Sequence, residues 1–500
     1  MTASLLLPLP LILPFATAVL AFLFRRNREG RWISVLGSAA MLLAGILLLM
    51  RVLAEGPIAA QMGEWPAPFG ITLVADTLSA VMVVITGITA LAVSIYAVTD
   101  ITDEMEELGY HALFQVLIAG VTGSFLTGDL FNLYVWFEVM LISSFGLLVL
   151  GGKRVQLDAG IKYVTINLIS TVLFLSGIGL LYGTTGTLNL ADLSRVVPTV
   201  DSGLMTVIAM MFMVGFGVKA AVFPLFFWLP ASYHTPSFAV SAVFAGLLTK
   251  VGVYAMIRIF TLVFTQDVAF THTILLWVAC ATMVTGVLGA AAQTDFRRIL
   301  SFHIVSQIGY MVLGLALMTP LAMAGAVFYL VHHIIVKANL FLVAGVANRI
   351  AGGTELGRIG SLYKGAPFLA FLFLIPAFSL AGFPPLSGFW AKYVLVRASM
   401  DLQMWVVAFI ALAVGLMTIY SMTKIWGQAF WKPHPNGMIP TLASLTVGER
   451  VTLLVPIAML ATMTVLIGLF PEPFVLIAER AAAELLDPTA YVAAVLGDAS

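Results

Sequence analysis

Four lysines of this 500-residue chain lie in the middle of long apolar segments: Lys219, Lys250, Lys337 and Lys392. At the centre of a lipid bilayer a charged side chain costs about 2.5–3.5 kcal/mol on insertion scales, so it needs a hydrated or paired environment. Burial brings the neutral and charged forms of a lysine closer in free energy, so a buried lysine can take up and release protons. The four lysines therefore indicate proton transfer inside a membrane.

One carboxylate and two histidines accompany these lysines inside apolar segments. A carboxylate such as Glu138 stabilises the charge of a lysine when it approaches, and so helps to load or release a proton. His333 and Lys337 are four residues apart and share one helix face, which favours His333 as a relay residue. His332 points to another face and is a secondary candidate, and a hydrogen-bonded core histidine is the alternative for both. Adjacent histidines lack the i, i+4 spacing of a helical metal site, and no metal ligand set is predicted.

Two structural explanations compete with a proton relay. A lysine near a helix end can extend its stem so that the ammonium reaches the membrane surface, but this does not suit four lysines in mid-segment. Glu138 can neutralise one lysine, but not all four. The relay interpretation accounts for the whole set, in the order Glu138, Lys219, Lys250, His333, Lys337, Lys392.

The composition excludes a water-soluble globule. Hydrophobic residues make up 61% of the chain and charged residues only 10%, whereas soluble domains carry roughly a quarter charged residues. The formal net charge of zero gives no basic surface for nucleic acid. The single cysteine, Cys280, excludes cysteine-ligated iron–sulfur clusters, and no glycine-rich nucleotide loop is present, so no cofactor is expected.

A membrane-spanning helix needs about 20 mostly apolar residues. By that criterion the sequence predicts an all-α integral membrane protein with about fourteen transmembrane helices. The predicted segments are 3–24, 32–54, 71–99, 109–128, 130–150, 161–184, 203–229, 237–264, 270–293, 299–318, 321–348, 366–396, 402–430 and 450–470.

The basic residues orient these helices. No Lys or Arg precedes Arg25, so the N-terminal apolar stretch resembles a first spanning helix rather than a cleaved signal peptide. With the N-terminus outside, fifteen of the 24 basic residues fall on the cytoplasmic side, and four lie in spans. The outer side holds five: Arg51, Arg195, Arg258, Arg397 and Arg480. This distribution fits the positive-inside rule and predicts both termini on the outer side of a bacterial cell membrane.

Two of the predicted helices carry breaks close to a lysine. Pro224 follows Lys219, and Pro384 and Pro385 precede Lys392. Proline disrupts a helix, and in membrane proteins the freed carbonyls commonly line a polar cavity, although a simple kink is the alternative.

The order of the segments predicts two repeats. Segments 109–264 and 270–430 each contain five helices with the broken helix fourth, so tandem copies would have inverted orientations. The predicted domains are 1–105, three helices; 106–266 and 267–432, the repeats; and 433–500, a last helix and short tail.

Several stretches resemble one known family. They include TGDLFNLYVWFEVMLISSFGLL around Glu138, GFGVKAAVFPLFFWLPASYHTPSFAVSAVFAGLLTKVGVY around Lys219 and Lys250, and VFYLVHHIIVKANLFLVAG around Lys337. FRRILSFHIVSQIGYMVLG and SLAGFPPLSGFWAKYVLV belong to the same set. Together they resemble the antiporter-like subunits shared by respiratory complex I and Mrp-type multisubunit sodium/proton antiporters, and most resemble the D-type subunits of the Mrp branch.

The resemblance implies roles and partners for this chain. Glu138 and Lys219 would form a coupled pair, Lys250 would connect the halves, His333 and Lys337 would form the central relay, and Lys392 would end the second half. It also implies a hetero-oligomer with subunits A, B and C and small membrane subunits, and exchange of H⁺ for Na⁺.

The sequence leaves three alternative functions open. The first is a proton-pumping M- or N-like membrane subunit of a complex I or hydrogenase-type NADH/quinone oxidoreductase. The second is a structural membrane scaffold that conducts nothing. The third is a carrier for an anionic solute, although lysines spread over four helices suit a relay better than one compact pocket.

Overall fold

A computed structural model describes residues 3–26 and 28–497 of the chain, with side chains from residue 5 onward. Within these residues the secondary structure is helical apart from one two-stranded hairpin.

The N-terminal region contains the hairpin and three long helices. Predicted segment 71–99 begins in the hairpin rather than in a helix, because Asp76 accepts a hydrogen bond from the Ser79 backbone and caps a helix that starts at Thr77. The elements of this region are α1 (Ala3–Leu6), α2 (Leu9–Leu23), α3 (Glu29–Glu55), β1 (Ile58–Gln61), β2 (Thr72–Ala75), α4 (Thr77–Asp100) and α5 (Asp103–Glu107).

The next region contains the first five predicted repeat segments. Asp129 caps the helix that carries Glu138, and a π-helical stretch, Phe244–Leu248, precedes the helix that carries Lys250. Its helices are α6 (Tyr110–Leu126), α7 (Leu130–Val149), α8 (Arg154–Thr185), α9 (Leu190–Val196), α10 (Ser202–Ala220), α11 (Trp228–Ser232), α12 (Phe238–Val243) and α13 (Thr249–Leu262).

The second five-segment region has a similar order of elements. Asp295 caps its second long helix, and a π-helical stretch, Trp426–Trp431, ends its last one. Its helices are α14 (Val268–Ala292), α15 (Phe296–Leu317), α16 (Pro320–Ala351), α17 (Leu362–Gly365), α18 (Pro367–Ala381), α19 (Ser387–Asp401) and α20 (Trp405–Ile425).

The C-terminal region continues in two helices beyond its last predicted span, where the sequence predicted a short tail. After α21 (Val447–Leu469) the chain forms α22 (Glu472–Leu486) and α23 (Thr489–Leu496). The Glu484 carboxylate accepts hydrogen bonds from the backbone and the hydroxyl of Thr77, at 2.8 and 2.7 Å. Arg480 donates to two carbonyls at the C-terminal end of α3. These bonds hold α22 against the ends of α3 and α4.

The interior of the bundle combines an apolar core with buried polar side chains, and its outer face is largely apolar. The helices α13, α15 and α16 are central and almost wholly buried, whereas α3 and α8 are peripheral. Large apolar side chains such as Leu36, Ile142 and Phe409 are about 70% exposed. This arrangement suits a lipid environment, because hydrocarbon rather than water surrounds the outer face.

The described residues contain eleven helices long and apolar enough to cross a membrane, and three shorter apolar helices, α2, α6 and α18. Each of the fourteen predicted segments overlaps one of these helices. The chain is therefore an all-α membrane protein of many spans, as predicted, while the count of fourteen crossings stays a prediction.

Candidate functional site

Glu138 and Lys219 occupy neighbouring helices, α7 and α10. The Thr171 hydroxyl donates a hydrogen bond of 2.7 Å to Glu138 Oε1. Lys219 is 5% exposed, and its Nζ has no hydrogen-bond partner among the described residues. That Nζ lies 5.9 Å from the centre of the Phe137 ring and interacts electrostatically with Glu138 without touching it. The pair is thus close enough to couple its charges, but it is not a closed ion pair.

The helix that carries Lys219 is interrupted directly after it. Ala221 adopts a left-handed conformation at φ 59°, and Pro224 follows three residues later. The Val218 carbonyl at the break accepts hydrogen bonds from the Ala221 backbone, at 3.1 Å, and from the Trp228 indole, at 3.0 Å. Lys219 therefore sits at the end of a half-helix, where backbone carbonyls are available to polar groups.

The second break has the same local form. Gly382 is left-handed at φ 92°, and Pro385 follows three residues later. Lys392 Nζ, on the following half-helix α19, donates a hydrogen bond of 3.1 Å to the Ala381 carbonyl at the break. Both predicted interruptions thus occur in the structure, and each brings a lysine to the end of a broken helix.

The centre of the protein holds two fully buried lysines. Lys250 Nζ donates to the Ala245 carbonyl in the π-helical stretch, and Lys337 Nζ donates to the Leu300 carbonyl at 3.1 Å. The two lysines interact electrostatically with each other, and both act on His333. Neither ring nitrogen of His333 has a hydrogen-bond partner among the described residues. The structure therefore brings Lys250, His333 and Lys337 together.

A glycine allows the first half to approach this centre. A Cβ added to Gly252 would lie 2.5 Å from the Ala220 backbone nitrogen, so a side chain at that position would force α10 and α13 apart. Gly252 is two residues from Lys250, and Ala220 adjoins Lys219. The close approach therefore places the backbones of the two lysine-bearing segments in contact.

His332, the secondary candidate, belongs to the second break rather than to the centre. Its Nδ1 lies 2.8 Å from the Ser387 hydroxyl at the start of α19, and it interacts electrostatically with Lys392. The adjacent histidines therefore face different groups, as expected for successive residues of a helix.

Sequence reasoning missed His303, which the structure places in the middle of the row. This residue of α15 is fully buried, and neither ring nitrogen has a partner among the described residues. It interacts electrostatically with Lys337, Lys392 and His333, and so lies between the centre and the second break. A search of predicted segment 299–318 for histidine would have found it.

Replacing His303 by alanine is expected to slow ion exchange by about 10-fold, a barrier increase of about 1.4 kcal/mol, because the row would lose a proton carrier between Lys337 and Lys392. The initial rate of exchange in membrane vesicles measures this effect. His272→Ala is the matched control, since His272 is a buried histidine of α14 outside the row. Equal rates in the two variants would remove His303 from the path.

No metal site was found among the described residues, since they contain no group of three or more His, Cys, Asp or Glu suited to hold an ion. The two carboxylates near span ends that could have contributed ligands have other partners. Asp129 caps α7, and Asp76 forms an ion pair with Arg258.

A polytopic membrane protein with a buried row of ionisable side chains has the architecture of an ion transporter. Residues 127–418 match the family described as NADH:quinone oxidoreductase/Mrp antiporter, transmembrane. The chain is 46% identical over 490 residues to the D-type subunit of the Na⁺/H⁺ antiporter of Alkalihalophilus pseudofirmus, and the match covers 98% of each protein. The chain belongs to this family.

Two solved structures share the fold. A chain of the Mrp complex from Dietzia sp. DQ12-45-1b has a TM-score of 0.91 at 33% identity, covering 99% of this chain and 100% of that one. A chain of respiratory complex I from Thermus thermophilus has a TM-score of 0.81 at 26% identity, covering 97% and 100%. The family resemblance predicted from the sequence motifs is confirmed.

Proposed function

We propose that this chain is the proton-translocating subunit of a multisubunit Na⁺/H⁺ antiporter. The observation that carries the proposal is the row of ionisable side chains inside the bundle, which extends from the half-buried Glu138 through both helix breaks to the buried Lys392. Protons would move along it in the order Glu138, Lys219, Lys250, His333, Lys337, His303 and Lys392. We propose sodium as the exchanged cation because the Alkalihalophilus relative is named as a subunit of a Na⁺/H⁺ antiporter.

The antiporter is favoured over a redox-driven pump. The likeness to complex I shows a shared fold, whereas the relative that is 46% identical over nearly the whole chain is an antiporter subunit. We propose partners of the Mrp kind, namely subunits A, B and C and the small membrane subunits. Lys392 lines a cleft at the surface of this chain, beside the exposed side chains of Tyr393 and Leu416, where a partner subunit can contact the end of the row.

Matching local features support an inverted five-helix repeat. The left-handed residues Ala221 and Gly382 each precede a proline by three positions. The capping residues Asp129 and Asp295 each form an isolated antiparallel bridge. The third helices, α8 and α16, are both 32 residues long. Alternating access could then arise from motion of one half against the other.

For orientation, we propose that both termini face the outer side of a bacterial cell membrane, because basic residues are concentrated in the loops assigned to the cytoplasm. Sodium favours clustered oxygen ligands, by analogy with other hard cations. We therefore propose that sodium passes mainly through a partner subunit. Sodium transport by the purified chain alone would contradict that assignment.

Complementation tests the proposed function. The complete operon is expected to restore growth of a sodium-sensitive bacterial host in high salt, and the same operon without this gene is expected to fail. Everted vesicles should show sodium-induced proton release only with the complete operon. A host rescued equally well without this gene would contradict the proposal, and quinone-dependent proton pumping without sodium exchange would favour the redox alternative.

A further inference from the structure

The helix α13 carries Tyr254 and Arg258, which are aligned with Lys250 and which the proposed relay does not use. Lys250, Tyr254 and Arg258 are spaced four residues apart and are 0%, 3% and 5% exposed. Such residues lie on one helix face, with about 5–6 Å between successive Cβ atoms. The charge distribution assigned Arg258 to the outer side of the membrane, and the structure places it inside α13 near that end. A buried polar row thus extends from the central lysine toward the outer side.

Hydrogen bonds continue this row into α4. The Tyr254 hydroxyl lies 3.0 Å from the Ser79 hydroxyl, and the Ser79 hydroxyl donates a hydrogen bond of 2.8 Å to Asp76 Oδ1. Asp76 Oδ2 forms an ion pair of 2.6 Å with Arg258 Nη1. The oxygens of Ser79 and Tyr254 are therefore close enough to exchange a proton with each other, although in this structure Ser79 donates to Asp76 and Tyr254 donates to the Phe125 carbonyl.

The C-terminal helix α23 packs beside Arg258 and Asp76, at the outer end of this polar row. Tyr491 places its ring 5.1 Å from the Arg258 guanidinium and is 4% exposed, while Asp76 is 1% exposed. Asp76 precedes the first residue of α4, at the end assigned to the outer side. The Tyr491 ring and the short helix that carries it therefore pack beside the ion pair of Asp76 and Arg258.

We propose that Asp76, Ser79 and Tyr254 form an outer proton access branch that connects the outside of the membrane to Lys250. The proposal rests on the proposed function and adds to it a route of entry. Arg258 is a positioning residue in this branch, because a guanidinium keeps its proton and can only hold the Asp76 carboxylate in place.

Proton entry through the branch is a sequence of balanced transfers. A proton from the outside binds the Asp76 carboxylate, which passes it to the Ser79 oxygen, while the Ser79 hydroxyl proton moves to the Tyr254 oxygen. The original Tyr254 hydroxyl proton moves to the neutral amine of Lys250. Asp76 is again a carboxylate, Lys250 is an ammonium, and rotation of the two hydroxyls resets the chain.

The branch is closed in this structure. Lys250 Nζ donates to the Ala245 carbonyl, one turn away in the opposite direction from Tyr254, and the Tyr254 hydroxyl donates to the Phe125 carbonyl at 2.8 Å. For a proton to pass, the Ser79 hydroxyl must turn from Asp76 toward Tyr254, and the Tyr254 hydroxyl must turn from the Phe125 carbonyl toward Lys250. Lys250 must also release the Ala245 carbonyl. Lys250 interacts electrostatically with Lys337 and His333, so a change in the protonation of either residue would favour or oppose this release.

The test uses the whole antiporter complex with Tyr254→Phe, which removes the hydroxyl and keeps the ring. We expect the exchange rate per assembled complex to fall about 10-fold. Tyr96→Phe is the matched control, since Tyr96 is also buried and also donates to a backbone carbonyl, that of Leu342, but lies outside the branch. Ser79→Ala is the second variant. It removes the hydroxyl but keeps the backbone N–H that donates a hydrogen bond to the Asp76 carboxylate. It is expected to slow exchange in the same way.

The pH of the vesicle lumen separates proton access from structural damage. In everted vesicles the lumen corresponds to the outer side, so acidifying it should partly restore the rate of Tyr254→Phe and leave that of Tyr96→Phe unchanged. Loss of rate in the same proportion at every lumenal pH would overturn the branch. If Tyr254→Phe and Ser79→Ala both exchanged at the wild-type rate while Lys219→Ala was inactive, the access branch would be overturned and the proposed function would stand. If Lys219→Ala were active, the proposed function itself would be overturned.

Discussion

Replacing Lys219 by alanine is expected to reduce Na⁺/H⁺ exchange by at least about 100-fold, because general acid–base groups of this kind contribute factors of that size. Lys219 interacts with Glu138 at the first helix break, and its Nζ has no hydrogen-bond partner among the described residues. Alanine cannot carry the proton that passes between these groups. The measurement is sodium-induced proton release from everted vesicles, normalised to the amount of assembled complex.

Two further variants separate proton transfer from charge. Lys219→Arg keeps the positive charge but cannot release a proton, so we expect it to be as inactive as Lys219→Ala. Lys162→Ala removes an exposed lysine of α8 that pairs with Asp158, and it should exchange at the wild-type rate because exposed ion pairs contribute little. Normal exchange by Lys219→Arg would mean that the residue supplies only charge.

Replacing Lys337 by alanine is expected to have a comparable effect, also about 100-fold or more, because the residue lies in the middle of the proposed row. It is fully buried and interacts electrostatically with Lys250, His333 and His303. Its loss should interrupt the row even though the residues on both sides remain. The measurement is again exchange in everted vesicles, together with the amount of assembled complex.

Lys424 provides the matched control for this variant. Lys424 Nζ also donates to backbone carbonyls, those of Ala291 and Gln293, but the residue lies outside the row. Lys424→Ala is expected to reduce at most the amount of assembled complex, while the exchange rate per assembled complex stays at the wild-type value. If Lys337→Ala and Lys424→Ala lost the same fraction of activity, the effect of Lys337 would be structural.

The main candidate site residues could be singled out from the sequence because charged side chains are conspicuous in membrane-spanning segments. A charged side chain among apolar membrane residues costs free energy and is usually functional. The residues Lys219, Lys250, Lys337 and Glu138 can therefore be recognised in the sequence without an alignment. Prolines beside two of the lysines likewise predicted the helix breaks. The structure adds the left-handed residue that precedes each proline and the carbonyl that binds Lys392.

Other features depend on contacts that spacing along the chain does not reveal. Asp76 and Arg258 are far apart in sequence, and only packing of α4 against the bundle joins them. His303 was missed because the lysines that act on it, Lys337 and Lys392, belong to other helices and no lysine lies near it in the sequence. The helix α22 contains acidic and basic residues that exclude it as a span, and its amphipathic face has a partner only in the folded protein.

Proton flux through the reconstituted complex tests the central claim most directly. The purified complete complex would be placed in proteoliposomes that contain a pH-sensitive dye, and a sodium gradient would be applied. We predict sodium-driven proton movement with the wild-type complex, and none above the protein-free background with assembled Lys219→Ala or Lys337→Ala. Proton movement at the wild-type rate in both variants would contradict the claim that the buried lysines carry the protons.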